Sequence, residues 1–290
     1  MIKLSRYDLI SPTPYWVEGV GHVEAIKLKD VDALPSKYDT YKQFVSLLLL
    51  DIDDYIEQFH IPKETIENVQ KEFEQHDLTL CVYDIHIVNK QILGELLLAL
   101  NFFITEDVSF DHEQGNFIVH NGFIDESDVE TPKDIVGYIN RDNYTDVVEV
   151  ILQRLGVKSA EDIEEEHPKF ANEKARQMWE RQQKFFKEQQ ERESKANAEF
   201  FDLGNIISSL ANRQSGLNMI NIWDMTLYNV YDQFDFERDG AVYTISALNY
   251  SVWGSDEKHK FDIDAWFKRK PPVAGDSDDL FSMAQNAKNR

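Results

Sequence analysis

The pattern of hydrophobic and polar positions predicts three amphipathic helices in the first half of the chain. Apolar residues recur every three to four positions over residues 39–59, over residues 93–103 and from Tyr144 to Leu155. Asn140 or Asp142 is predicted to cap the third helix, because short polar side chains satisfy free N–H groups at a helix start. Gly156 is predicted to end it.

Other stretches of the first half have the composition and alternation of strands. Tyr15–Val17 and residues 20–26 lie around Gly19 and Gly21 in a region without a helical period, which predicts two short paired strands. Residues 78–88 alternate and predict a further strand, and residues 108–120 predict a hairpin that turns near Gly115. These strands and helices come in irregular order rather than as repeating βαβ units, which is typical of an α+β fold.

The hydrophobic pattern weakens between residues 159 and 197, where Glu, Lys, Arg and Gln dominate. A short heptad-like seam is present, with Trp179 and Phe186 seven positions apart beside it. The remainder is nearly all polar, so a charged helical connector is predicted. A self-associating coiled coil stays open as the alternative.

Amphipathic helices return after residue 202. Asp202 is predicted to cap a helix whose apolar positions fall at i, i+3, i+4 and i+7: Leu203, Ile206, Ile207 and Leu210. In the densest apolar segment of the chain, Leu217–Phe234, a second helix is predicted from the apolar face of Leu227, Val230, Tyr231 and Phe234, with Asp224 just upstream as its cap. A third helix is predicted after Gly240, which makes a small all-α bundle.

These patterns together predict an α+β protein in four parts. An α+β domain is expected over residues 1–157 and a charged connector over 158–201. A helical bundle is expected over 202–269, and a disordered tail over 270–290, where Pro, Gly, Ser and Asp are frequent.

The charge of the chain narrows the classes of partner. Asp and Glu total 53 against 30 Lys and Arg, a formal net charge of −23. Because nucleic-acid binding draws much of its affinity from Lys and Arg, no nucleic-acid partner is expected.

The longest apolar runs are too short to span a bilayer, so no membrane partner is expected either. The single cysteine, Cys81, excludes an intrachain disulfide and fits a reducing cytoplasm.

Three groups of residues were weighed as chemical sites. Gly19-Val20-Gly21 lacks the third glycine and the following Lys of a phosphate loop. The acidic cluster Asp51, Asp53 and Asp54 is interpreted as a solvated helix face, and His86, His112 and His120 as polar-face residues of predicted strands. We therefore predict no catalytic residue, no cofactor and no metal, with an enzyme as the open alternative.

Several segments of the sequence resemble proteins of tailed phages and prophages of Gram-positive bacteria. Residues 202–211 and Leu217–Phe234 resemble the C-terminal region of such proteins, and Trp223-Asp-Met-Thr-Leu-Tyr is similar to the Met-Thr helix of phage tail assembly chaperones. Residues 11–23 and 139–144 resemble the opening and the central part of the same proteins.

The resemblance implies a non-catalytic morphogenesis protein of the host cytoplasm. Such a chaperone binds the tape measure protein, and possibly the tail-tube protein, during tail assembly. At 290 residues the chain is long for a compact chaperone, which leaves open a fused or frameshift-extended form. A structural virion protein of the phage neck or tail is the alternative function, and self-association is possible.

Aromatic and apolar side chains are the candidate protein-binding residues. They lie in the C-terminal bundle and in the connector: Trp223, Met225, Leu227, Tyr228, Tyr231 and Phe234, with Trp179 and Phe186. For Trp223, Tyr228 and Tyr231 the alternative is ordinary packing in the core of the bundle.

Overall fold

The structure, a computed structural model, describes residues 2–52, 64, 68–71, 73, 80–125, 128–157, 202–214 and 216–253. The chain divides into two compact units, residues 1–155 and 156–290. The first unit contains strands and helices and the second is helical over its described residues, which confirms the α+β class with a small helical C-terminal region. The predicted connector and the predicted tail lie outside the described residues.

The described elements of the first unit follow an irregular order. Its helices are α1 (Arg6–Ile10), α2 (Leu28–Asp32), α3 (Tyr38–Leu49), α4 (Val82–Val88), α5 (Lys90–Phe103) and α6 (Tyr144–Arg154). Its strands are β1 (Tyr15–Val17), β2 (Gly21–Val23), β3 (Asp107–Asp111), β4 (Asn116–His120), β5 (Phe123–Asp125), β6 (Asp128–Pro132) and β7 (Ile135–Ile139). The one-turn helices α1 and α2 were not predicted, because five residues are too few to show a helical period.

Three helices follow their predicted apolar faces. Tyr41, Val45 and Leu48 of α3 are buried, and α3 ends at Leu49, where Leu50 takes an extended conformation. Residues 53–59 of the predicted helix lie outside the described residues. The carboxamide of Asn89 caps α5 by accepting hydrogen bonds from the N–H groups of the first turn. Asn143 occupies the position before α6 without a side-chain cap bond, while the predicted Asn140 caps the preceding turn, its carboxamide oxygen accepting from the N–H groups of Asp142 (2.9 Å) and Asn143 (3.2 Å). Gly156 adopts a φ of 71° beyond the end of α6.

Residues 82–88 form helix α4, so the predicted strand over 78–88 is wrong. The Asp84 carboxylate accepts a hydrogen bond from the Cys81 N–H (2.9 Å), which satisfies a free donor at the helix start. Tyr83 and His86, three positions apart, are both buried. The Tyr83 hydroxyl also donates to the Gly115 carbonyl (2.7 Å), which ties α4 to the hairpin. The alternating pattern favours a strand, but the cap formed by Asp84 and the burial of Tyr83 and His86 on one side stabilise a helix instead.

The predicted hairpin is confirmed as β3 and β4, which form an antiparallel sheet in the order β3-β4-β7. Gly115 has a φ of 67° in its turn. Asparagine side chains form hydrogen bonds with backbone groups on both edge strands of this sheet, β3 and β7. The Asn101 side chain bonds to both the N–H and the C=O of Val108 on β3, and on β7 the Tyr138 C=O accepts from Asn143 (2.8 Å). Such coverage protects edge strands from pairing with other chains.

The β1-β2 hairpin packs closely against β7. Its two strands pair antiparallel as predicted, and Gly19 in the turn has a φ of 72°. The Gly19 carbonyl accepts a hydrogen bond from the Tyr138 N–H (2.9 Å). A Cβ atom at the neighbouring Gly137 would lie 2.3 Å from that same carbonyl oxygen, so only glycine permits this approach.

The end of α6 holds the N-terminal segment in place. The buried Arg154 guanidinium donates to the backbone carbonyls of Asp8 and Thr13. The Gln153 side chain accepts from the Leu4 N–H (3.1 Å) and donates to the Ile2 carbonyl (2.8 Å). Burial lowers the pKa of Arg154, and the negative charges of Glu24 and Asp8 oppose that effect. Residues 2–13 are therefore an integral part of the first unit.

The described part of the second unit contains α7 (Leu203–Arg213), a 3₁₀ helix (Asn221–Asp224) and α8 (Leu227–Trp253). Asp202 caps α7 as predicted, accepting from the Gly204 N–H (3.0 Å). At the start of α8 the Thr226 hydroxyl accepts from the Asn229 N–H, so Thr226 and not Asp224 occupies the capping role. The helix continues through Gly240, so the predicted separate third helix is wrong. One glycine costs only about 1 kcal/mol in a helix, too little to stop it.

Candidate protein-binding surface

The candidate residues before α8 belong to a compact turn and to the 3₁₀ helix. Trp223 lies in the 3₁₀ helix and is partly exposed, and its indole N–H donates to the Met219 carbonyl (3.0 Å). Met225 follows the 3₁₀ helix, is partly exposed, and donates its N–H to the Ile222 carbonyl (3.1 Å). Ile222, rather than Trp223, is the fully buried residue of this segment.

The candidate residues on α8 differ in burial. Leu227 and Tyr228 are buried, as is Val230, so they pack inside the unit. Tyr231 and Phe234 are partly exposed. Core packing is thus the role of Leu227 and Tyr228 in this structure, whereas Trp223, Met225, Tyr231 and Phe234 each present some surface. Trp179 and Phe186 lie outside the described residues.

Two asparagines build the turn that precedes the 3₁₀ helix, which we call the Asn turn (residues 216–221). The Asn218 carboxamide oxygen accepts from the N–H groups of Ile220 (2.8 Å) and Asn221 (3.0 Å). The Asn221 side chain accepts from the Asn218 N–H (2.8 Å) and donates to the Gly216 carbonyl (2.9 Å). These reciprocal bonds fix the backbone of the turn.

The Asn turn holds two apolar side chains in solvent. Ile220 is 85% exposed and Met219 is 53% exposed, and Met219 is joined through its carbonyl to Trp223. Sequence reasoning did not single out Ile220 or Met219, because they lie in the same apolar run as buried neighbours. The available signal was the spacing of Asn218 and Asn221, since asparagine favours turns by bonding to nearby backbone groups.

The three histidines weighed as a metal site have separate structural roles. His86 lies on helix α4, not on a strand, and its Nδ1 is 3.0 Å from the Tyr144 hydroxyl. The ring nitrogens of His120 lie 2.7 Å from the Gly122 carbonyl oxygen and 3.1 Å from the Ser109 hydroxyl oxygen. His112 is exposed on the hairpin. Among the described residues no group of three His, Cys, Asp or Glu is placed to hold a metal ion; Asp53 and Asp54 lie outside them.

The buried His86 predicts an acid-sensitive first unit. Burial lowers the pKa of His86 to about 3, so the folded protein keeps it neutral while the unfolded chain protonates near pH 6.5. Its contribution to stability is present above pH 6.5 and is lost as the pH falls toward 3. Between pH 7.5 and 5.5 the loss is on the order of 1 kcal/mol of unfolding free energy.

Urea unfolding of His86→Gln at both pH values measures this contribution. The variant should lack that part of the acid-induced loss, whereas the exposed-site control His112→Gln should retain it. Equal pH dependence of His86→Gln and the unsubstituted chain would contradict the assignment.

Cys81, Asp84 and Arg141 form the clearest cluster of ionisable groups in the described first unit. Arg141 Nε lies 3.0 Å from Asp84 Oδ1, and the Cys81 thiol donates to Asp84 Oδ2 (3.1 Å). Burial and the hydrogen bond to Asp84 raise the pKa of Cys81, which keeps it a thiol at neutral pH. A thiol is a poor nucleophile, so this geometry favours a structural link between α4 and the loop after β7.

None of the helices described, up to the 27-residue α8, has the length and apolar character needed to cross a bilayer.

Comparison with known proteins finds a match in the C-terminal region of the chain. Residues 190–270 match a family model described as the YomV second domain, a range that contains α7, the Asn turn and α8. No curated protein and no solved structure matches the chain. The match is consistent with the resemblance of residues 202–234 to phage proteins and identifies neither a tail assembly chaperone nor a host. The C-terminal region is thus similar to the YomV second domain.

Proposed function

We propose that this chain is a tail assembly chaperone of a phage or prophage. It acts in the host cytoplasm without catalysis, binding the tape measure protein and keeping it soluble while the tail-tube protein assembles. The phage-related match over residues 190–270 supports this class of function. The observation that carries the proposal is the Asn turn, which displays Met219 and Ile220 beside the partly exposed Trp223.

An exposed apolar side chain on a fixed backbone is suited to binding. Association costs free energy when loops and side chains must be ordered, and a turn already fixed by four side-chain hydrogen bonds avoids much of that cost. Ile220, Met219 and Trp223 supply aliphatic, thioether and aromatic surface within five residues. An amphipathic client helix would cover such surface with its apolar side.

The charge of the chain supports the same function. With a formal net charge of −23 on each chain, complexes of this chain with an apolar client would repel one another, which opposes aggregation.

Co-expression with the tape measure protein of the same phage genome tests the proposal. Ile220→Asp should reduce co-purification of the client at least tenfold while leaving the thermal midpoint within error, because an exposed side chain contributes little to folding. The control is Leu98→Asp on α5, which places the same charge at another exposed apolar residue (63%) and should not affect binding. Unchanged client recovery with Ile220→Asp would refute the role of the Asn turn.

Mass spectrometry of purified virions separates the proposal from a structural role. A chaperone should be absent from mature particles. Stoichiometric recovery of the chain from virions would instead identify a structural neck or tail protein.

A further inference from the structure

The second half of α8 is unlike the rest of this acidic chain. Charged residues make up 29% of the sequence, yet residues 240–253 contain none. None of the side chains described from Asp239 onward is buried, in contrast to Leu227 and Val230 at the start of the same helix. A helix segment that is both uncharged and exposed lacks the polar surface usual for solvent contact.

One side of this segment is apolar and lies in line with the buried side of the helix start. Leu227, Val230 and Phe234 are followed on that side by the charged Glu237 and Arg238, and then by Ala241, Ile245 and Leu248. Ile245 is 59% exposed and Leu248 is 61% exposed. Ala241, Thr244, Ile245 and Leu248 are referred to below as the α8 face.

Two hydroxyl groups of this segment, those of Thr244 and Ser251, donate to backbone carbonyls of their own helix. The Thr244 hydroxyl donates to the Gly240 carbonyl (2.8 Å), and the Ser251 hydroxyl donates to the Leu248 carbonyl (2.7 Å). A partner that covers the α8 face would therefore leave neither of these donors without an acceptor, which removes the usual cost of burying a hydroxyl.

We infer that the α8 face binds the same face of a second copy of this chain, with the two helices antiparallel. Each copy carries a charge of −23, so a self-contact has to avoid acidic side chains. The acidic residues Asp235, Glu237 and Asp239, with Arg238 among them, lie at one end of the segment, whereas the first charged residue beyond the other end is Asp256. An antiparallel pair sets the acidic end of each helix against the uncharged end of the other, whereas a parallel pair would bring the acidic ends together.

Side-chain sizes along the α8 face are self-complementary in this arrangement. A two-fold axis between Thr244 and Ile245 places Ala241 opposite Leu248 of the second copy, and Thr244 opposite Ile245 of the second copy. Small residues opposite large ones let two helices interdigitate, and two-fold dimers use the same patch on both subunits. The segment is about 21 Å long at 1.5 Å per residue, a small interface, so a dissociation constant on the order of micromolar is expected.

Sedimentation velocity of the full chain from 1 to 100 µM tests the dimer. The sedimenting species should shift with concentration from the 33.9 kDa monomer to twice that mass. Ile245→Asp should remain monomeric over this range, while the control Ile220→Asp, which alters the Asn turn, should dimerise normally. A wild-type chain that stays monomeric at 100 µM, or an Ile245→Asp variant that still dimerises, would overturn the inference.

Cysteine pairing tests the orientation. In a Cys81→Ser background, Ala241→Cys and Leu248→Cys chains should form a disulfide with each other when mixed and oxidised, and neither should cross-link efficiently with itself. Efficient self-cross-linking of each variant would indicate a parallel pair and refute the antiparallel arrangement. Because Ile220→Asp affects client binding and Ile245→Asp affects dimerisation, failure of this inference is distinguishable from failure of the proposed function.

Discussion

Gly137→Ala is expected to destabilise the first unit by about 3 kcal/mol or more, a large part of the stability of a typical domain. The added Cβ would lie 2.3 Å from the Gly19 carbonyl oxygen and 2.6 Å from the Val20 carbonyl oxygen. Both are backbone atoms, so the hairpin turn has to move away from β7. That movement also breaks the bond from the Tyr138 N–H to Gly19 (2.9 Å). Thermal unfolding followed by circular dichroism should show a midpoint about 10 °C lower.

Gly94→Ala is the matched control for this substitution. Gly94 lies inside α5, and a Cβ there meets no atom within 4 Å. Alanine should therefore stabilise the helix by about 1 kcal/mol, the difference in helix propensity between the two residues. Equal midpoints for Gly137→Ala and Gly94→Ala would show that the β7 contact with the Gly19 turn does not constrain the unit.

Leu227→Ala is expected to destabilise the second unit by about 3 kcal/mol, enough to unfold most of a small helical unit at 37 °C. Leu227 is fully buried at the start of α8, next to the buried Thr226 that caps the helix. Truncation leaves a cavity where the helix start meets the core. Hydrogen exchange of residues 203–253 should show loss of protection while the first unit stays protected.

Leu248→Ala provides the control, because it is the same substitution on the same helix at a residue that is 61% exposed. In solutions dilute enough for the chain to be monomeric, well below the expected dissociation constant, its effect should stay within about 0.5 kcal/mol. Comparable losses of protection in the two variants would mean that burial at the start of α8 does not determine the stability of this unit.

Much of the fold was predictable because local signals and packing agree. Asp202 caps a helix whose apolar side is buried, and Gly115 turns the β3-β4 hairpin with a positive φ. In each case the residue that favours the local conformation lies next to the apolar residues that pack in the core. The local preference and the burial of apolar side chains therefore predict the same structure.

The candidate binding surface was predictable only as a region. The aromatic density of Leu217–Phe234 indicated the correct segment, but an apolar run does not tell buried residues from exposed ones. Tyr228, a candidate contact that core packing could equally explain, is buried, whereas Ile220, which was not a candidate, is exposed. The difference comes from the Asn turn, whose hydrogen bonds direct Met219 and Ile220 outward.

The sequence by itself determined the α+β class, the cap at Asp202, the hairpin and the acidic character of this protein, because each depends on residues close together in the chain. Only the tertiary structure decided that residues 82–88 are a helix, since the Tyr83 bond to Gly115 and the Arg141 bond to Asp84 join residues far apart in sequence. It also decided which side chains of the C-terminal region are exposed, on the Asn turn and along the α8 face. Burial is a property of the packed chain, and a hydrophobic residue carries no local mark that separates core from surface.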